Sequence, residues 1–353
     1  VTRRAHSRDI PVDLARFTAH APGRLVPTIA GARAFVPDPL PDVLPLDLAT
    51  VRLLAEAQHR LGRLGGATGR LVNPWLVAAP FLRQEAILSS RIEGTVTSPE
   101  QLALLEVGGP APSSDREAED TREVANFVRA THHALAELER LPVSVRLLRD
   151  THRILMTGVR GDRERPGELR DAQHFIGGAP DITRARFVPP SHTELPRLLA
   201  DFERWVNAPD PALPLLVRIA LAHYQFETIH PFRDGNGRIG RLLVLLLLLR
   251  DGALPAPLLP ISHHLERHRT RYMDLLFDVS ARGAWTAWID FFLEAVIESA
   301  AHASRQVEEL LSLRERWHAR FESARSSALL LKLVDALFHD PATTVARVAA
   351  LLG

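Results

Sequence analysis

The chain has 353 residues, 46% hydrophobic and 24% charged, proportions that suit two or three globular domains and are too apolar for a disordered chain. Forty-three basic and 42 acidic residues leave a formal net charge of +1, so the summed field favours neither a nucleic-acid coat nor membrane adsorption, and only a local patch could do either. No cysteine is present, which excludes disulfides, thiolate metal sites, cysteine-ligated iron–sulfur clusters and a cysteine nucleophile.

In chain order, the N-terminal Val1-Thr2-Arg3-Arg4 has no apolar stretch behind it and so no signal-peptide pattern. Residues 20–46 carry Pro22, Pro27, Pro37, Pro39, Pro41 and Pro45, which forbid a long helix and suggest an extended arm over a surface. Helices are expected at about 47–64, stopped by Gly65-Gly66, at 80–93, stopped by Gly94, and at 98–107, where Ser98, Pro99 and Gln101 form a capping-box start. Residues 108–114 read as a linker. Further helices fit 115–140, 143–158, 193–206, 212–229, 236–250, 262–281 and 284–322. Between them, residues 172–190 place two short apolar pieces around a Gly/Pro/Asp turn, a hairpin signal. Residues 329–338 and 345–352 suggest two short amphipathic helices with Thr343 or Thr344 as a cap between them, either the truncated start of a helix-turn-helix or only a helical hairpin. The longest apolar run, residues 242–249, falls far short of the ~20 residues of a membrane span. A soluble, cytoplasmic protein is expected.

The chemistry concentrates in His230-Pro231-Phe232-Arg233-Asp234-Gly235-Asn236-Gly237-Arg238-Ile239-Gly240-Arg241. Gly235 and Gly237 around Asn236 allow close backbone approach, so N–H groups can converge on an anion, and the helix that starts there adds its positive end. Arg238 and Arg241, three apart, share a helical face suited to successive phosphates. Asp234 is a hard oxygen ligand for Mg²⁺, and a neutral His230 can accept a proton. Each has a plainer reading alone: His230 as a structural histidine, Asp234 as an N-cap, Gly-Asn-Gly as a turn. Together they describe a polyphosphate site with a metal and a base. A Walker loop is absent, and the only lysine, Lys332, lies far away.

This segment resembles, without mismatch, the Fic family signature His-x-Phe-x-Asp/Glu-Gly-Asn-Gly-Arg-x-x-Arg. The likeness extends over about residues 15–322. It includes Gln225-Phe226-Glu227-Thr228-Ile229 before the motif, Gly167-Glu168-Leu169-Arg170, and Phe175-Ile176-Gly177-Gly178 with Phe187-Val188-Pro189-Pro190, similar to the family's flap and its entry. It implies an all-α Fic-fold helical bundle with a small β-hairpin flap, followed by the helix-turn-helix-like segment. Three units are expected: an N-terminal arm and helices over 1–114, the Fic core over 115–305, and a connecting helix with a partial winged-helix-like segment over 306–353.

The resemblance implies transfer of AMP from ATP to a serine, threonine or tyrosine hydroxyl of a target protein. His230 would be the base and Asp234 would hold Mg²⁺. The backbone of Gly235, Asn236 and Gly237 would form the anion hole, with Arg238 and Arg241 on the phosphates. Ser89-Ser90-Arg91-Ile92-Glu93-Gly94 reads alone as a helix end with Gly94 as the C′ residue. Beside the Fic signature it resembles the inhibitory Ser/Thr-x-x-x-Glu-Gly/Asn motif of the subclass inhibited by an N-terminal helix. Ser89 begins that motif, and Glu93 would pair with Arg241 where the γ-phosphate belongs. Phe175, Ile176 and Gly177 would dock the target strand. Two positions depart from the family pattern: Phe175 replaces an expected tryptophan, and His268 an expected asparagine. His264, His268 and Tyr272 are the candidates for the adenine pocket, and a polar helix face accounts better than a metal cluster for His263, His264 and His268.

The partners implied are ATP and a target protein, with self-modification and a homodimer as further options and no membrane. Competing readings are a hydrolase removing AMP at the same site, an adaptor without chemistry, and a DNA-binding regulator acting through the C-terminal segment.

Overall fold

The computed structural model describes residues 14–68, 74–110, 114–177, 181–209, 212–321 and 327–352. Helices dominate. The first strands, β1 (Gly23–Pro27) and β2 (Arg33–Pro37), form an antiparallel hairpin with Gly23 opposite Pro37. The prolines of the arm thus bound two short strands where a plain extended segment is expected. Both strand-end prolines sit where a missing N–H costs no ladder bond in a two-stranded sheet's outer edge.

Helix α1 (Leu48–Thr68) runs through Gly65 and Gly66, because burying Leu64 and Thr68 outweighs the ~1 kcal/mol that each glycine costs. Helix α2 (Trp75–Ile92) begins five residues before the expected start and carries Pro80 inside it. Val77, Ala78, Phe81 and Leu82 are buried around that proline, so packing tolerates the lost hydrogen bond. Helix α3 (Pro99–Glu106) has the expected capping box, with Ser98 and Gln101 satisfying each other's backbone.

Next come α4 (Asp115–Leu138) and α5 (Val145–Met156), capped by Ser114 and Ser144, then α6 (Leu195–Val206). At the centre lie α7 (Leu215–Ile229) and α8 (Asn236–Arg250), which are almost entirely buried. The expected helix over 262–281 is broken at His268 (φ −112°, ψ 30°) into α9 (Ser262–Arg267) and α10 (Arg269–Arg282). The long α11 (Trp285–Phe321) lies along α1 and sends Trp288 into the core, where its ring N–H donates to Ala220 O at 2.9 Å.

One buried apolar cluster runs from Val36 to Val307 and joins the helices on either side of α4. The last helices, α12 (Ser327–His339) and α13 (Val345–Leu352), dock back on the body, α12 against α2 and α11. Arg83 of α2 grips His339 O and Asp340, and Arg347 reaches Glu106 O.

The flap is less regular than its hairpin signal suggests. Ile176 and Phe187 form a single antiparallel bridge, and a short 3-10 turn over Ile182–Arg184 fills the far arm. Gly178 lies outside the described residues. Among the described residues the two-stranded sheet is therefore the 23–37 hairpin, not the flap. β2 ties the two together, with Phe35 N–H donating to Val188 O at 2.9 Å.

Candidate active site

Helix α7 ends at His230, which adopts the left-handed conformation (φ 50°, ψ 61°) while its N–H closes on Phe226 O at 3.0 Å. A non-glycine residue rarely sits there unless its surroundings impose it. The imposing group is Arg170. Its buried guanidinium reaches four carbonyls: His230 O at 2.8 Å, Pro190 O at 2.6 Å, Ala172 O at 3.2 Å and Ile229 O at 3.3 Å. Burial pulls Arg170 down to about 10, which still leaves it charged near neutrality. Two further clamps hold the loop. Asn236 accepts from Phe232 N–H at 2.8 Å and donates to Phe232 O at 2.9 Å. His152 on α5 stacks flat on Phe232, ring centres 3.9 Å apart. Its Nδ1 accepts from Gly167 N–H, which leaves Nε2–H to donate to Asp234 O at 2.9 Å.

The loop presents a neutral imidazole. His230 Nδ1 lies 3.1 Å from Glu227 O, a pure acceptor, so Nδ1 carries the proton and Nε2 is free to accept one. Burial, then the neighbouring His174 ring stacked 5.4 Å away, push His230 down to about 3. Beside it opens a cleft of about 420 Å³ lined by Arg170, Gln173, His174, Arg233 and Asp234. Asp234 has over half of its side chain exposed; Oδ1 takes Gly235 N–H at 2.6 Å, and Oδ2 is 3.7 Å from Arg238. One solvent-facing carboxylate suits Mg²⁺, which keeps most of its waters and takes few protein ligands. Gly235 (φ 77°) closes the turn in a conformation that L side chains avoid, packed on His152 and the Met156 sulfur.

The N-terminal turn of α8 is occupied by Glu93. Arg241, whose side chain is fully buried, donates from Nε to Ser89 Oγ at 2.8 Å, and from Nη2 to Ser89 O at 2.9 Å and Glu93 Oε1 at 2.8 Å. A Cβ built on Gly237 would overlap Glu93 Oε1, so the carboxylate rests directly on the glycine. Burial works to raise the Glu93 carboxyl, but Arg241, Arg238 and Arg269 hold it below its ordinary value. Among the described residues Arg241 Nη1 has no hydrogen-bond partner. Gly94 (φ 90°) ends α2 as expected, and Thr95 and Val96 then fasten to Glu123 and Asp120 of α4.

Arg238 is also buried but faces α4, 3.5 Å from Glu123, with Nε unpartnered among the described residues. The two arginines three apart therefore meet different carboxylates. In the flap, half-buried Phe175 packs on the small cluster of Ala32, Ala34, Ala185 and Val188, and Gly177 (φ 101°) lies against Arg186. Tyr272 is buried and bonds His223 Nε2 at 2.7 Å within the core. His264 is buried and His268 half-buried on the α9–α10 break.

Sequence reasoning gave no role to Arg170, His152 or Glu227. His152 did carry a signal, a polar residue on the otherwise apolar face of Leu148 and Leu155. Glu227 Oε1 is buried against Gly240 without a partner among the described residues, and burial pushes its carboxyl up to about 8.

Residues 142–248 match the Fic/DOC family and residues 51–136 the Fic/DOC family N-terminal region. Among curated relatives, the chain is 36% identical over 135 residues to protein adenylyltransferase Fic of Culex quinquefasciatus, a stretch covering 38% of this chain and 24% of that one. It is 30% identical over 191 residues to protein adenylyltransferase fic-1 of Caenorhabditis briggsae, covering 53% and 36%. The chain thus spans about a quarter to a third of the length of these relatives. Among solved structures, a Fic family protein from Desulfovibrio desulfuricans G20 aligns with a TM-score of 0.61 at 26% identity, covering 74% of this chain and 76% of that one. A Fic domain containing signaling protein from Bacteroides thetaiotaomicron shares the fold (TM-score 0.56, 21% identity, 72% and 98% coverage). The helical bundle, the loop that closes on His230 and these matches agree: the chain belongs to the Fic/DOC family.

Proposed function

We propose that this chain is a protein adenylyltransferase that moves AMP from ATP to a serine, threonine or tyrosine hydroxyl of a target protein, and that Glu93 restrains it. The substrate hydroxyl loses its proton to His230 Nε2 while its oxygen bonds to the α-phosphorus. The bond from that phosphorus to the β-phosphate oxygen breaks, and pyrophosphate leaves. Arg241 and the backbone at Gly237 would take the phosphate tail, because they combine a buried guanidinium with a helix N-terminus. Bound Mg²⁺, with Asp234 as its protein ligand, would neutralise phosphate charge. Phe175, Ile176 and Gly177 would register the target segment.

The observation that carries this reading is the Arg241 guanidinium held by Glu93 and Ser89 directly over Gly237. The cation and the cradle expected to grip phosphate already hold a carboxylate, and a second anion there meets like charge. The test is incubation of Glu93→Gly with α-labelled ATP, Mg²⁺ and a cell lysate. Strong labelling of a lysate protein or of the chain itself is expected, weak labelling with the parent, and none with Glu93→Gly/His230→Ala. Equal labelling by parent and Glu93→Gly overturns the restraint, and no labelling by either overturns the transfer.

A second reading, removal of AMP from a modified protein, is favoured by the Glu93 side chain being one-third exposed and ionised, able to orient a water. It predicts that Glu93→Gly loses AMP release from a modified target.

A further inference from the structure

We propose that His264, His268 and Glu298 form a binding site for a transition-metal ion of the Zn²⁺ class, on the face shared by α9, the α9–α10 break and α11. One ligand atom from each of the three lies within 4.8 Å of the others. His264 and His268 are four apart, and the backbone keeps that turn helical, His268 N–H donating to His264 O at 3.1 Å. Their rings sit 4.4 Å apart, centre to centre. Glu298, exposed on α11, places Oε2 2.9 Å from His264 Nδ1.

A second observation marks the cluster as a ligand site. His264 is only 2% exposed and walled by Phe291, so its ring is held with Nδ1 turned to Glu298. The buried ring thus presents one nitrogen to the carboxylate, and an ion taken up there would replace the proton that Nδ1 and Glu298 share. Ligands on tetrahedral zinc stand roughly 3.3 Å apart at bond lengths of about 2.0–2.2 Å, so rotation of the more exposed His268 and Glu298 closes the set. Two imidazoles with one carboxylate suit Zn²⁺ and not Mg²⁺, which prefers oxygen, so the site is chemically separate from Asp234. Water would complete the shell from the open side.

The location gives such an ion a structural consequence. Arg269, the residue after His268, donates to Ile92 O at 2.9 Å, and Ser262 at the head of α9 donates to buried Glu85 at 2.9 Å through its N–H. Both bonds anchor α2, the helix that carries Glu93. An ion joining α9 to α11 braces that anchorage.

The test uses the full chain, treated with chelator and titrated with Zn²⁺ in excess Mg²⁺ against a chromogenic chelator, with Co²⁺ substitution read by visible absorption. One equivalent is expected to bind at micromolar affinity or tighter, to raise the melting temperature and to give a tetrahedral cobalt spectrum. Glu298→Gln and His268→Asn, both at accessible positions, should each weaken it by about tenfold or more. His263→Gln, on the neighbouring stacked pair with His302, should leave it within about twofold. Absence of saturable binding overturns the proposal. So does affinity unchanged in Glu298→Gln/His268→Asn, or lost only in His230→Ala.

Discussion

The loop over 230–241 and the flap over 173–188 face the same cleft but are built in opposite ways. The loop is held by buried polar side chains: Arg170 and His152 reach it from 60 and 82 positions away, and Asn236 closes it locally on Phe232. Among the described residues the flap is held by the Ile176–Phe187 bridge, by Gln173 Nε2 donating to Pro189 O at 2.9 Å and His174 O at 3.0 Å, by Phe35 N–H on Val188 O and by Arg186 on Asp274. Chemistry at phosphorus depends on a base and an anion hole fixed in advance, and displacing them by an ångström can cost about 100-fold. Receiving a target strand needs the reverse, a backbone edge not already committed to its own ladder.

The largest effect should come from removing the loop's central clamp. Arg170→Leu leaves up to four carbonyls short of a donor and frees His230 from its left-handed conformation. We expect a stability loss of about 3 kcal/mol or more in urea denaturation. In a Glu93→Gly background, transfer should fall by at least about 100-fold. Unchanged activity would show that the loop holds itself. Asn236→Ala should come next, at about 2 kcal/mol for two lost backbone bonds, with an activity loss smaller than that of Arg170→Leu.

Glu227 sharpens the comparison through pH. Burial raises its folded-state value from the ordinary 4.5 to about 8, so the folded protein holds this proton more tightly than the unfolded chain does. The stability it lends is complete below about 4.5 and is lost as pH rises through about 8. Glu227→Gln should therefore raise the melting temperature at pH 8.5 and change it little at pH 5; equal shifts at both would refute the titration. His230 is displaced in the other direction, to about 3. The rate profile of Glu93→Gly should then show no acid limb near pH 6.5, because the imidazole is already neutral there.

The smallest effect belongs to the flap. Gln173→Ala should cost about 1 kcal/mol of local stability and raise KM for the target a few-fold, with kcat nearly unchanged. A fall in kcat as large as that of Asn236→Ala would mean that the flap, too, positions the chemistry.

Much of this molecule was legible in the chain itself. The capping box at Ser98 and the Gly94 helix end are local chemistry between residues two to four apart, and the structure repeats them. The Fic signature identified the loop by order alone. Other features escaped because neighbours distant in sequence decide them. Gly65 and Gly66 stay helical because α11 packs on that helix, and the break at His268 follows no proline or glycine. The arm's hairpin depends on Val188 receiving Phe35, 153 positions away by count from 188 to 35.

Sequence by itself determined which groups the loop brings together: one imidazole, one carboxylate, two arginines and glycines that leave the backbone bare, at spacings a loop and a helix start impose. Only the tertiary structure decided how they are used. Arg241 meets Ser89 and Glu93 across 152 and 148 residues, Arg238 turns to Glu123, and Arg170 locks His230 in place. Spacing along a helix fixes where a side chain starts, but a buried charge goes to whichever partner offsets its desolvation, and that partner is supplied by the packing of other helices.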